Sequence, residues 1–310
     1  MPDVELFKSD GNSLKSLKVL TENEFSSIKE YGSTLMKFQR HHALIEYVIT
    51  NFNTLNGLFV NKTKEIAYNM EDSFYYPFGN FYLEANTVIL NFLSSARIFL
   101  EHMDTHIKKE FTENSPQYST FRESTVEEFD NKFSYRLMGK LRNYVTHCGM
   151  PPLSYNLSKK NEEDDQYTNI TLTVDFNRDQ LLNGYDGWGK IVRKDLLESN
   201  DSFPAIPLFN EYVYSLIKIH LIYTKLFVIS DVINAKDKIL HAINEPEGYS
   251  ENNYHCGLIN PKDNPKDGLD IRLQTIPASL LSKVYHFERL DYLIKNKSEK
   301  DYFQYDELIF

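Results

Sequence analysis

Phe133-Ser134-Tyr135-Arg136-Leu137-Met138-Gly139-Lys140-Leu141-Arg142-Asn143-Tyr144-Val145-Thr146-His147 is the stretch that decides the fold class. On an ideal helix advancing roughly 100° per residue, Phe133, Leu137, Leu141, Tyr144 and Val145 gather on one side, with Met138 at its edge. That side is a core-facing stripe. Lys132, Arg136, Lys140, Asn143 and His147 fall on a second stripe about 80° wide. Ser124-Thr125-Val126-Glu127 has the form of a capping box and opens the helix; Gly149 and Pro151-Pro152 end it.

Helical spacing continues outward from this segment. Phe25, Ile28, Leu35, Phe38, Leu44, Ile45, Val48 and Ile49 predict one long helix or two between Glu22 and Ile66. A Tyr76-Pro77-Phe78-Gly79 turn then precedes a helix through Phe81, Leu83, Val88, Ile89, Phe92, Leu93, Ala96, Ile98, Phe99 and Met103. The most apolar segment, from Leu208 to Ile233, reads as a buried core helix, and the helix that holds it is expected from about Leu208 to Ala242, after Pro204 and Pro207. One strand is legible, Ile170 to Phe176, where apolar and polar residues alternate; the polar run Lys159 to Gln166 before it reads as a loop. Asp186-Gly187-Trp188-Gly189 predicts a tight turn whose Trp anchors a loop.

The expected architecture is mainly α, a helical bundle with a small accessory β element and an irregular C-terminal extension. Residues 1–21 read as an irregular lead-in, 22–244 as the helical domain with a β insertion near 169–176, and 245–310 as the extension. The extension is expected to hold loops, a small sheet partner and a short helix from Ala278 to Leu293.

Composition excludes several classes. Among 310 residues there are two cysteines, Cys148 and Cys256, which argues against a disulfide scaffold and fits a cytoplasmic protein. No basic region followed by an apolar run begins the sequence, and Glu211, Lys218, His220, Lys225 and Asp231 interrupt the apolar segment too often for a membrane span. The net charge of −10 opposes non-specific coating of nucleic acid. Yet no Asp or Glu lies between Asp130 and Glu162 in a chain carrying 44 of them, so the field around the basic stripe is expected to be locally positive. No nucleotide-binding glycine loop and no Gly-x-Ser-x-Gly elbow is present.

The residue types at the end of the stripe suit phosphoryl chemistry. Imidazole, with an unperturbed pKa of about 6.5, exchanges protons near neutrality. A forked, permanently charged guanidinium suits the charge that develops on a phosphorane. Arg142 lies about 140° from His147 on an ideal helix, so its long side chain must cross the polar face to share one phosphate with it.

Arg142-Asn143-x-x-x-His147 on a late helix of a bundle resembles the motif of the HEPN (higher eukaryote and prokaryote nucleotide-binding) superfamily. The resemblance implies a metal-independent, cofactor-independent endoribonuclease, with two motifs facing each other across a homodimer. It further implies a toxin or an antiviral-defence effector, acting with a cognate antitoxin or defence partner. By the same resemblance Arg142 stabilises phosphate, Asn143 supports it and His147 is the acid/base, with Glu84 matching an acidic position of some members. Lys132, Arg136 and Lys140 would contact RNA. Two readings of other classes stand beside this one: a non-catalytic RNA- or nucleotide-binding module of a defence system, and a nucleotide-binding protein in which Lys140 and Arg142 hold a polyphosphate.

Two further patterns suggest metal ligands. His147-Cys148-Gly149 and His255-Cys256-Gly257 repeat one tripeptide, but adjacent ligands are poorly spaced for zinc. His102 and His106 lie one helical turn apart with Asp104 between them, but no third ligand is evident and a solvated helix face explains the pattern more cheaply. No metal is expected.

Overall fold

The structure, a computed structural model, describes residues 4–9, 12–69, 81–161, 168–244, 253–259, 271–304 and 307–308. The Tyr76-Pro77-Phe78-Gly79 turn and residues 162–166 of the expected loop lie outside these. The chain is mainly helical, with small antiparallel sheets. It divides into two compact units: residues 1–43 with 223–291 and Phe310, and residues 44–222 with 292–309. Among the described residues, no helix is long and apolar enough to cross a membrane.

The first unit holds a four-stranded sheet. Its strands are β1 (Val4–Ser9), β2 (Leu14–Leu20), β6 (Asn253–Ile259) and β7 (Ile271–Ile276), in the order β2-β1-β6-β7. Residues 4–9 and 14–20, expected to be irregular, are therefore paired antiparallel strands, and β1 runs between β2 and β6 with Ser9 opposite Asn253. A register shift beside Leu6 and Phe7 interrupts strict alternation, and both residues are buried. The helical part of this unit comes from the beginning of α1 (Glu22–Asn69), the end of α7 (Ala205–Phe227), α8 (Ile229–Ile243) and most of α9 (Leu281–Asn296). Thr21 and Glu24 cap α1 reciprocally: the Thr21 amide donates to the Glu24 carboxylate at 2.8 Å and the Glu24 amide to the Thr21 hydroxyl at 3.2 Å. His42 and His286, both buried, share a hydrogen bond of 2.9 Å, and Phe38 stacks on His42.

The second unit is built on the remainder of α1 with α2 (Phe81–Phe111), α3 (Pro116–Asn131), α4 (Phe133–His147) and α7 (Ala205–Phe227). A three-stranded sheet, β3 (Leu153–Asn161), β4 (Thr168–Asn177) and β5 (Ser202–Pro204), and two short helices, α5 (Arg178–Gly184) and α6 (Gly189–Glu198), complete it. Strand β4 is the one legible in sequence; Val174 and Phe176 are its buried residues, and Phe176 meets Phe203 of β5 at 5.5 Å. Residues 159–161, read as loop, extend β3 instead.

Two long helices expected from the sequence are each divided. The Ser124–Glu127 capping box lies inside α3, where the Ser124 hydroxyl donates to the Phe121 carbonyl; the actual N-cap is Ser115, which accepts from the Tyr118 amide. Lys132 adopts an extended conformation (φ −121°, ψ 116°) that ends α3 and begins α4. Likewise Val228 separates α7 from α8, a break that apolar periodicity cannot reveal because the stripe continues across it.

Candidate functional site

Burial fixes the rotation of α4. Leu137, Met138, Leu141, Tyr144 and Val145 are buried as the wheel predicts, with Ser134 and Tyr135 added and Phe133 half-buried. The polar residues between them are left outward: Arg142 and Asn143 are half-buried, and Thr146 and His147 are exposed. The helix ends at Cys148, whose amide donates to the Tyr144 carbonyl at 2.8 Å. Gly149 follows at φ 127°, in the left-handed region that side chains disfavour.

An aromatic clamp secures this end of the helix. Tyr144 stacks on Trp188 with centroids 5.8 Å apart and meets Tyr185 edge-on at 6.0 Å. Trp188 is 1% exposed and donates its indole N–H to the Leu181 carbonyl at 2.9 Å, so it anchors the α5–α6 connection as its turn setting predicts. Gly184 is required by this packing, since a Cβ there would come within 2.8 Å of the Tyr144 hydroxyl. Burial, with a smaller contribution from Cys148, raises the Tyr144 pKa, so the phenol remains a neutral donor.

The arginine and its neighbour are in contact: an Arg142 guanidinium nitrogen donates to the Asn143 side-chain oxygen at 3.4 Å. Among the described residues, no carboxylate pairs with Arg142, Lys140 or His147. Lys140 lies against the N-terminus of α6, its ammonium 4.0 Å from where a Cβ of Gly189 would stand. The partial positive charge of that helix end adds to the lysine's own. Lys190 and Arg193, exposed on α6, add further positive charge to that helix.

The rest of the basic stripe is engaged within the fold. Arg136 donates to Asp195 of α6 at 2.8 Å and to the Phe129 and Asp130 carbonyls at 2.6 and 2.9 Å, closing the C-terminal end of α3. Lys132 pairs with Glu299 and lies 3.8 Å from Glu211. The stretch without acids in sequence is thus not without acids in space: α6, α7 and the segment after α9 return them. Nothing in the local sequence announces these partners. Glu84 is exposed in the first turn of α2, where a carboxylate complements the helix dipole.

The chain matches no family model, no curated protein and no solved structure. Its chemistry must be read from its own residues.

The two metal patterns fare poorly. His255 and Cys256 are consecutive in β6, so their side chains leave opposite faces of the sheet; Cys256 is buried, and burial raises its thiol pKa to about 11. Such a thiol is a poor zinc ligand at neutral pH. Asp104, between His102 and His106, is taken by Lys108 at 3.0 Å and by the Tyr118 hydroxyl at 3.1 Å.

Proposed function

We propose that this protein is a metal-independent endoribonuclease whose centre is Arg142, Asn143 and His147. The observation that carries the reading is an Arg142 guanidinium held against Asn143 on the same buried-faced helix whose last residue is the exposed His147. None of the three is neutralised by a carboxylate among the described residues. A ribose 2′-hydroxyl would lose its proton to a base and attack the adjacent phosphorus, and the 5′-oxygen would leave with a proton, giving a 2′,3′-cyclic phosphate and a 5′-hydroxyl. Imidazole at His147 supplies one of these proton transfers. Arg142 offsets the charge gathering on the non-bridging oxygens, and Asn143 fixes the guanidinium fork. A second copy of the chain, placing its own His147 across the scissile bond, supplies the other transfer.

RNA contact then rests on Lys140 and the α6 N-terminus rather than on Lys132 and Arg136, whose charges are already offset. That partial neutralisation favours one alternative, a module that binds RNA or a nucleotide without cleaving it.

Incubating a mixed RNA pool with the protein in EDTA, beside His147→Ala and Arg142→Ala, distinguishes the two. The expected outcome is cleavage by the wild-type chain alone, leaving cyclic phosphate ends. Binding without cleavage would favour the module, and equal cleavage by all three would place the chemistry elsewhere.

A further inference from the structure

The second unit contains a cavity of about 350 Å3 that none of the residues above lines. Its walls are Phe52, Leu55, Phe59 and Val60 of α1, Ile206 and Phe209 of α7, and Phe303. Phe52, Leu55, Phe59, Phe209 and Phe303 are each at most 4% exposed, so this is a recess in the core rather than a flat surface. Tyr302 and Gln304, both exposed, mark its mouth.

The polar groups at the cavity define what it accepts. Asn210 is 3% exposed, and both ends of its amide are committed: its nitrogen donates to the Asp301 carbonyl at 3.1 Å and its oxygen accepts from the Phe303 amide at 2.9 Å. Asn56 donates to the Phe303 carbonyl at 3.2 Å and keeps its side-chain oxygen as an uncommitted acceptor. The two amides thereby tie residues 301–303 across α1 and α7 as a strap. Among the described residues, no charged side chain lines the cavity. Lys297, whose ammonium lies 5.8 Å from the Phe303 ring centroid, is already paired with Glu307 at 2.6 Å, so a charged guest would surrender its hydration without a free ionic partner among these residues. An uncharged ring or short alkyl chain would replace water or empty space with close aromatic contacts, and one donor on it could reach Asn56.

We propose that this cavity is a binding site for a small uncharged, mainly apolar molecule, a single aromatic ring or a short alkyl chain carrying at most one hydrogen-bond donor. The site is independent of the ribonuclease reading, because it shares no residue with it.

The test uses the full chain and defined probes: indole and 1-hexanol, against their charged counterparts indole-3-acetate and hexanoate. Saturation-transfer NMR and thermal denaturation report binding. Indole or hexanol should bind saturably and raise the melting temperature, and the charged probes should not at equal concentration. Val60→Phe and Ile206→Phe fill the recess from opposite walls, and both positions are half-buried and so tolerate the larger side chain. Each should weaken the neutral probes about tenfold or more while circular dichroism stays that of the wild type. Absence of binding by both neutral probes, equal binding by the charged ones, or undiminished binding to a folded filled variant would each overturn the proposal.

Discussion

At the residue scale, Arg136 shows how a side chain that reads as a ligand contact becomes a structural one. Its charge and spacing place it on the same stripe as His147, and that much is correct; Asp195 and two α3 carbonyls then occupy it. Arg136→Ala should cost about 1.5–3 kcal/mol in urea denaturation, because it strands a partly buried carboxylate and two helix-end carbonyls. The salt slope of RNA binding should stay unchanged, whereas Lys140→Ala should reduce it by roughly one unit. Glu24 carries a pH signature of the opposite kind. The Thr21 amide first, then Lys18 and the Thr21 hydroxyl, lower its pKa from 4.5 to about 2. A carboxyl whose folded pKa is depressed stabilises the fold above 4.5 and loses that contribution as pH falls toward 2. The difference in melting temperature between wild type and Glu24→Gln should therefore shrink across that interval. A difference that stays constant in acid would show that the cap does not act through its charge. Thr21-Glu22-Asn23-Glu24 has the Thr-x-x-Glu spacing that announces a capping box, whereas Ser124–Glu127 has the same form and caps nothing. The motif alone does not say whether its amides are already used by a preceding turn.

At the element scale, what was legible was whatever a single helix decides for itself. The buried face of α4 follows from spacing, as does the exposure of His147. The breaks at Lys132 and Val228 do not: the side chain of Lys132 is taken by acids on α7 and beyond α9 that the local sequence does not announce, and the apolar stripe runs on across Val228. Nor does the sequence reveal that the candidate site leans on α5 and α6, which place Tyr185 and Trp188 around Tyr144. Trp188→Ala should destabilise the chain by about 3–5 kcal/mol through the void it leaves. Trp188→Phe keeps much of the packing and loses the bond to Leu181, at a cost near 1 kcal/mol. If the clamp positions Asn143, the Phe variant should lower kcat for RNA cleavage more than it alters KM; an unchanged kcat would reduce the clamp to a stabilising role.

At the scale of the whole chain, each unit is assembled from distant stretches, and this is the part the sequence conceals. Hydrophobic periodicity reports which face of an element is buried but not which partner buries it. Strand β1 thus carries no legible pattern of its own, because its pairing depends on β6, more than 240 residues further on. Deleting residues 4–20 should expose β6 along one edge and remove the buried Leu6 and Phe7, worth about 1.5–3 kcal/mol each. Hydrogen exchange should then quicken throughout β6, β7 and α8 while α2 and α4 keep their protection; uniform quickening would mean the two units do not open separately. The pairing of Ser9 with Asn253 also has a consequence for biosynthesis. At ribosomal speeds of ~5–20 residues per second, β1 waits on the order of ten seconds or more for its partner strand to emerge. Through that interval the nascent hairpin offers an open edge beside Leu6 and Phe7, a template for mispairing with other polypeptides. The chain's yield in a cell is thus coupled to whatever shields that edge during translation.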